Sequence, residues 1–364
     1  MTEGHRIALI RGDGIGRDVS EAAVAVVDRA LKSIGLAPLF YDEVTAGAGY
    51  YRDTGMDIEP GGEERTDAAD AIFLGAIGLP SIRHQDGTEI SPHLRIRDRL
   101  GLYAGVRPVK AYPHAPQRLA DPRAAQIDLV ILRESTEGLF YTAAVHGRTD
   151  VRGNEEARDT LRITRKTTEK LHRFGFRLAE RRKSKGRPGL ITCVDKANVF
   201  ASMAFFRKIF DEIVPEFPSV KSGYNYVDAQ ALDLIRRPWD FDVLVMENMF
   251  GDILSDLAGG LVGGMGMAAC GEIGDNHGLF QPAHGSAPDI MGQDKANPLA
   301  AILSGALMLD YLAEKSGNEG YADAALRIEN AVQAGFEQNR LRPMEFGGNM
   351  GTKAVTGEIL SIIA

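Results

Sequence analysis

Cysteine is nearly absent from this chain. Its 364 residues include only Cys193 and Cys270, far apart and in no metal-ligand spacing. That excludes a disulfide framework and a thiolate metal centre, and it leaves two reduced, buried thiols of the kind expected in a cytoplasmic protein. Basic charge is also in deficit. Forty-two Lys and Arg against 50 Asp and Glu give a formal net charge of −8. A phosphate backbone demands a basic footprint, so nucleic acid is excluded as the main partner and any anionic ligand must be met by local arginines. No uncharged apolar stretch reaches the roughly 18 residues needed to cross a bilayer. Met1-Thr2-Glu3-Gly4-His5-Arg6 runs straight into Ile7-Ala8-Leu9-Ile10 without an apolar signal core. The expectation is a protein that is neither secreted nor membrane-bound. The usual dinucleotide fingerprint is missing as well. Arg11-Gly12-Asp13-Gly14-Ile15-Gly16 follows a strand and precedes a helix, but Arg17 stands where G-x-G-x-x-G needs its third glycine. Those glycines still permit a tight turn or a close approach of backbone to a ligand.

What is present is an apolar content of 44% and a charged content of 25%, enough to bury one large core or two domain-sized ones. Short β-rich apolar runs at 5–11, 37–43, 70–75, 104–111, 127–133, 189–194 and 241–246 alternate with helical periodicity at 18–34, 157–183, 199–213, 226–236, 298–315, 321–339 and 353–363. This alternation predicts an α/β fold. Glu134–Ala157 lacks either period, is rich in Thr, Gly and charge, and reads as an extended ribbon that either clasps a second subunit or is a solvated loop. The basic run Arg181–Arg187 fits a helix C-terminus closed by Gly186.

Met249-Phe250-Gly251-Asp252-Ile253-Leu254-Ser255-Asp256-Leu257 puts two carboxylates on one face of an apolar helix. Like charges at this spacing cost roughly 0.2–0.5 kcal/mol even when exposed, and more without water, unless a cation lies between them. A divalent metal is one resident; the other reading is an Asp252 N-cap followed by a solvated Asp256. Cys193-Val194-Asp195-Lys196-Ala197-Asn198 ends an apolar strand with polar groups just where α/β folds display function, making Lys196 either a candidate base or a snorkelling side chain. Tyr226-Val227-Asp228-Ala229 supplies a further carboxylate, which could instead be a cap. Pro282-Ala283-His284-Gly285-Ser286-Ala287-Pro288-Asp289 is a loop of small residues that could wrap an adenosine or form an ordinary turn.

Taken in order, Gly12-Asp13-Gly14-Ile15-Gly16, Val106-Arg107-Pro108, Arg133-Glu134, Val194 to Asn198, Tyr226 to Ala229, Asn248 to Asp256, His284 to Ile290 and Ala296-Asn297-Pro298 resemble the β-decarboxylating hydroxyacid dehydrogenases. This family comprises the isopropylmalate, isocitrate, homoisocitrate, tartrate and D-malate enzymes. The resemblance spans essentially the whole chain and lies closest to the isopropylmalate enzymes. It implies a two-domain α/β fold distinct from the standard Rossmann fold, with 1–102 and 263–364 forming a cofactor-binding domain. Residues 103–262 would form a central dimerisation and catalytic domain carrying a 135–157 arm at the dimer interface.

The resemblance also implies an NAD- and Mg²⁺- or Mn²⁺-dependent oxidation and decarboxylation of a 2-hydroxy di- or tricarboxylate by a homodimer with shared sites. Asp252 and Asp256 from one subunit and Asp228 from the other would be the metal ligands. Arg97, Arg107 and Arg133 would clamp substrate carboxylates in bidentate fashion, and Lys196 would cross the interface to help remove the hydroxyl proton. His284, Gly285, Ser286, Ala287, Asn297 and Asn198 would line the cofactor, and Asp289 would accept the ribose hydroxyls and so favour NAD. Two positions depart from the family. Phe140 replaces the tyrosine that reprotonates the enolate, leaving Tyr141 as a substitute only if a bulge re-aims it on its strand. Gln281 replaces a glutamate. The substrate-reading segment Glu89–Arg97 is mixed: Ser91 leans to a polar substituent, Leu94 to an alkyl one, and His93 to neither. Isopropylmalate-like substrates lead; isocitrate, tartrate and D-malate remain alternatives, as does a non-catalytic regulatory subunit.

Overall fold

A computed structural model of the chain describes residues 4–145 and 151–363. One ten-stranded sheet organises it. In chain order the strands are β1 (Arg6–Gly12), β2 (Phe40–Glu43), β3 (Ala71–Ala76), β4 (Ala104–Lys110), β5 (Asp128–Glu134), then β8 (Leu190–Asp195), β9 (Lys221–Tyr226), β10 (Val243–Met246), β11 (Ala269–Ile273) and β12 (Gly278–Pro282). A separate two-stranded ribbon contains β6 (Val151–Arg152) and β7 (Glu156–Ala157). The sheet order is β2-β1-β3-β12-β11-β4-β5-β10-β8-β9. Strand β11 runs antiparallel to both neighbours, and β4 is antiparallel to β5, while the outer pairs are parallel. The inner parallel strands β1, β3, β5, β8 and β10 are nearly continuous apolar runs, as expected where helices cover both faces, whereas the edge strands β2 and β9 are polar and largely exposed.

The covering helices include α1 (Gly16–Ser33), α10 (Leu299–Ser316), α11 (Glu319–Glu337) and α12 (Thr352–Ile363) beside the chain-end strands, and α6 (Arg165–Ser184), α7 (Ala201–Ile213), α8 (Val227–Arg236) and α9 (Asn248–Leu261) beside the central ones. Short helices α2 (Ala48–Thr54), α3 (Gly62–Asp67), α4 (Pro92–Arg99) and α5 (Phe140–Val145) fill the connections. Two apolar clusters draw mainly on β1, β3, β12 and α1, α10, α11; two others draw on β4, β5, β8, β10 and α6, α7, α9. Among the described residues no helix is long and apolar enough to cross a membrane.

The sequence expectations need four corrections. The helix expected over 157–183 begins only at Arg165, because β7 and an extended stretch precede it. The ribbon expected over Glu134–Ala157 contains a helix, α5, before the β6–β7 hairpin; 146–150 lie outside the described residues. Phe140 and Tyr141 therefore sit on a helix rather than a strand, so they diverge by about 100° instead of facing opposite sides, and no bulge is involved. Finally, Asp252 is not an N-cap. Glu247 caps α9, accepting from the backbone N–H of Met249 (3.1 Å) and Phe250 (3.3 Å), which leaves Asp252 and Asp256 a turn apart inside the helix. The basic run does end α6 as expected, with Gly186 at φ +84°.

Candidate active site

Residues on β11, β4 and β5 build the floor of the site. Glu272 is paired with Gly105 on β4, and Gly105 with Arg133 on β5. Residues paired across neighbouring strands share a face, and Arg107, two positions from Gly105, shares it too. A side chain at 105 would strike the Ser135 Oγ at 2.6 Å and the Glu272 carboxylate at 2.9 Å, so glycine opens the gap across which these charged groups meet. Arg97 reaches the same spot from α4. All three arginines are buried, and Glu272 is fully so. Arg97 Nη1 lies 3.5 Å, and Arg107 Nη2 3.9 Å, from Glu272 Oε1.

Helix α9 lies over this floor and supplies the opposing carboxylates. Arg133 donates to Asp252 and, through Nε, to Asn248 Oδ1 at 2.9 Å. Arg107 donates to Ser255 Oγ at 2.7 Å and stands 3.7 Å from Asp252 and 3.9 Å from Asp256. Burial, with repulsion from Arg107 and Arg97, lowers the Arg133 guanidinium to about 10, still charged at neutral pH. Burial alone would raise Glu272, but Arg97, Arg107 and Arg133 outweigh it and hold the carboxyl below its ordinary value. Burial raises Asp256, aided by Asp252 and opposed by Arg107. A cleft lined by Arg107, Ser255, Asp256, Met267 and Ala283 opens beside the cluster. Asp252 and Asp256 present hard oxygen donors suited to Mg²⁺ or Mn²⁺. Among the described residues, however, no three His, Cys, Asp or Glu side chains of one chain converge to hold an ion.

Lys196 and Asp228 are brought together elsewhere. Buried Asp195 accepts two 2.7 Å bonds from Arg207 and one of 2.8 Å from the Ala197 N–H, which fixes the turn beyond β8. Lys196 leaves that turn and donates to Asp228, at the start of α8, at 2.5 Å. Asp228 and Asn198 are exposed. Val199 and Phe200 beyond β8, Tyr224 on β9, Leu232 and Ile235 on α8, and Ile253 on α9 are exposed apolar residues on these or neighbouring elements.

In the segment expected from the sequence to read the substrate, Ser91 precedes Pro92 at the start of α4, and Leu94 is exposed. His93 Nδ1 is buried with no hydrogen-bond partner among the described residues; burial, then Arg97, lowers its pKa to about 4, so the ring is neutral. Phe140 packs within 5.1 Å of the Arg133 guanidinium, whereas Tyr141 lies under Arg162 at 3.7 Å.

The loop carrying His284 to Asp289 is welded to the Gly12–Gly16 turn. Gly14 has φ +53°, and a side chain there would collide with the Ser286 carbonyl, which accepts from the Ile15 N–H at 2.7 Å. Ser286 Oγ donates in turn to the Gly78 carbonyl. Asp13 anchors the turn by accepting from the N–H groups of Ala48, Gly49 and Gly78. The glycines thus serve loop-to-loop packing. His284 is tied through Nδ1 to the Gly285 carbonyl (2.9 Å), its Nε2 is buried and unpartnered among the described residues, and burial lowers its pKa. Gly285 and Asp289 are exposed, with Ala287 between them at φ +34°. Asn297 is engaged internally, donating to Glu345 at 2.9 Å and accepting from the Leu299 N–H at 3.2 Å.

Sequence reasoning missed Glu272. Its only signal was a lone charge in the apolar run Ala268-Ala269-Cys270-Gly271-Glu272-Ile273, which was not recognised as a strand.

The chain is similar to known proteins along nearly its whole length. The chain is 39% identical over 356 residues to a 3-isopropylmalate/3-methylmalate dehydrogenase of Methanocaldococcus jannaschii, covering 98% of each chain. It is 38% identical to a 3-isopropylmalate dehydrogenase of Xanthomonas euvesicatoria, covering 96% of each. Among solved structures it matches an isocitrate dehydrogenase from Methylococcus capsulatus with a TM-score of 0.83 at 33% identity, covering 99% of both chains. A β-decarboxylating dehydrogenase from Thermococcus kodakarensis matches with a TM-score of 0.78 at 36% identity, over 99% of this chain and 96% of that one. The profile described as isocitrate/isopropylmalate dehydrogenase matches residues 6–363, and the chain belongs to that family of hydroxyacid-oxidising, decarboxylating dehydrogenases.

Proposed function

We propose that the protein is an NAD- and divalent-metal-dependent dehydrogenase that oxidises and decarboxylates a 3-substituted malate, with 3-isopropylmalate-like substrates first. The observation that carries this reading is the convergence of Arg97, Arg107 and Arg133 on one buried spot beside Asp252 and Asp256. Guanidinium forks hold carboxylates bidentately, and paired aspartates on one helical face suit a bound cation. The names of the archaeal and bacterial relatives support a 3-alkylmalate; the Methylococcus enzyme keeps isocitrate as the alternative.

In this reading Asp252 and Asp256 hold the metal together with Asp228 of a second copy, whose Lys196 draws off the C2 hydroxyl proton. Exposed apolar residues on β9, α8 and the turn beyond β8, the elements that carry or flank the Lys196–Asp228 pair, support a homodimer, since large exposed apolar area is costly on a free monomer. When bound, Mg²⁺ or Mn²⁺ supplies Lewis-acid stabilisation of the developing enolate, and NAD supplies the hydride acceptor. Arg97, Arg107 and Arg133 fix the carboxylates and share in stabilising the enolate, while Ser91, His93 and Leu94 face the C3 substituent. His284 through Ala287, Asp289, Asn297 and Asn198 form the cofactor site; exposed Asp289 accepts from ribose hydroxyls and repels a 2′-phosphate. Tyr141 or water returns a proton to the enolate. Residues 1–102 with 263–364, and 103–262, act as two domains flanking the site, a division that the separate apolar clusters support.

The test is absorbance at the reduced-nicotinamide band. Purified protein is mixed with a panel of 2-hydroxy acids, NAD or NADP, and Mg²⁺ or Mn²⁺ or neither. Turnover of a 3-alkylmalate that needs NAD and metal is expected; silence across the panel refutes the reading.

A further inference from the structure

Glu272 brings a fixed carboxylate into an arginine cluster that would otherwise be open to substrate carboxylates. It is fully buried, it stands 3.5 Å from Arg97 and 3.9 Å from Arg107, and it faces Arg133 across the side-chain gap at Gly105. The three guanidiniums hold its carboxyl below the ordinary value, and its full burial weakens solvent screening. We propose that Glu272 is a specificity-determining residue: it takes up one positive charge of the clamp, tuning the site to dianionic malates with an uncharged C3 substituent and against tricarboxylates. The inference rests on the proposed function and sharpens its substrate class.

The charge count carries the argument. Three guanidiniums less one buried carboxylate leave two positive charges, matched to the two carboxylates of a 3-alkylmalate. Asp252, which pairs with Arg133 in the free chain, and Asp256 stand apart from this sum because in the proposed function a bound divalent cation would offset them. A third substrate carboxylate would find no uncompensated guanidinium and would enter the field of Glu272 itself. Like charge in a dry site is a strong rejecting element, and specificity commonly needs one. Fixing Arg97 and Arg107 is a second consequence, but fixing alone would affect all substrates in parallel.

The experiment compares the parent with Glu272→Gln, which removes the charge and keeps the shape, and with Glu272→Asp, which keeps the charge. Steady-state kcat/KM is measured for 3-isopropylmalate and isocitrate with NAD and Mn²⁺. Calorimetry measures binding of two unreactive probes, succinate and propane-1,2,3-tricarboxylate. In Glu272→Gln the isocitrate-to-isopropylmalate ratio should rise about tenfold or more, chiefly through KM, and tricarboxylate binding should rise likewise relative to succinate. Glu272→Asp should leave both ratios near those of the parent. Ratios unchanged in a Glu272→Gln protein that melts like the parent overturn the proposal. If Glu272→Gln does not fold, Glu272→Asn is read in its place, and failure of both uncharged variants to fold makes Glu272 a structural anchor, which also overturns it. Lack of turnover by the parent would refute the proposed function, while the calorimetric ratio would still decide the role of Glu272.

Discussion

The arginine–aspartate cluster beneath α9 and the Lys196–Asp228 pair beyond β8 differ in how far one chain surrounds them. In the cluster, Arg133 is clasped by Asn248 and Asp252, Arg107 by Ser255, and Glu272 by the arginines, so each buried charge has a partner from the same chain. The second pair sits on the surface, with Asp228 68% exposed in its side chain and exposed apolar residues on the elements that carry it. The fold seals the three guanidiniums and Glu272 of the first set, leaves Asp252 and Asp256 partly open with side chains 45% and 61% exposed, and leaves the second pair for something to cover. On the reading proposed here, that cover is a second copy, which joins Lys196 and Asp228 to the other chain's cluster.

The largest effect expected falls on the cluster. Asp252→Asn should lower metal-dependent turnover by about 10³-fold or more, because it removes both a hard ligand and the counter-charge of Arg133. Losing that partner should also cost about 1–3 kcal/mol of stability. Asp256→Asn should impair turnover too, yet leave stability unchanged or higher by roughly 0.2–0.5 kcal/mol, because an exposed like-charge neighbour is relieved. Initial rates across a metal titration and melting midpoints check both. Equal destabilisation by the two variants would erase the distinction between the carboxylate in contact with buried Arg133 and the more exposed one.

Cofactor choice comes next. A preference for NAD over NADP of about 10²-fold in kcat/KM is expected from the like charge that Asp289 would present to a 2′-phosphate in the proposed cofactor site. Asp289→Ser should narrow it. Equal efficiency with both cofactors in the parent would remove Asp289 from the cofactor site.

A smaller effect is expected beside the clamp. Phe140 packs against Arg133 while Tyr141 is turned to Arg162, so Phe140→Tyr would put a hydroxyl nearer the carboxylate-binding groups. The variant should speed conversion of the β-keto acid to decarboxylated product by a few-fold while changing hydride transfer less. Tyr141→Phe is the control. If neither change alters CO₂ released per NADH formed, water or another side chain carries the proton.

The sequence was most legible where periodicity and burial agree. Strands β1, β3, β4, β5, β8 and β10 and helices α1, α7, α8 and α10 to α12 were anticipated to within a few residues. The misses share a physical cause. Lys-Ser-Gly-Tyr-Asn-Tyr of β9 is an edge strand with little to bury, Ala-Cys-Gly-Glu-Ile of β11 carries a glycine and a charge, and Gly-Leu-Phe-Gln-Pro of β12 is short and ends in proline. Helix α4 is so rich in charge that its pattern is hidden, although Ser91-Pro92 marks its start and Arg97 faces inward. Site residues were readable as types, since arginines, a lysine and paired aspartates stand in recognisable segments. Glu272 was not, because its meaning depends on a three-strand register that no local pattern encodes. Asp13 and Asp195 were visible but unexplained until their backbone partners, distant or across a turn, came into view.

The claim that two copies complete each site is tested most directly by complementation. Lys196→Ala and Asp252→Asn proteins, each inactive alone, are mixed under conditions that exchange subunits, and heterodimers are quantified alongside the rate of NAD reduction. In a mixed dimer one site holds both lesions and the other is fully wild type, so activity should return in proportion to heterodimer, up to about half the parent rate per dimer. Demonstrated heterodimers with no recovered activity would contradict the account and put Lys196, Asp228 and the aspartate pair to work within single chains.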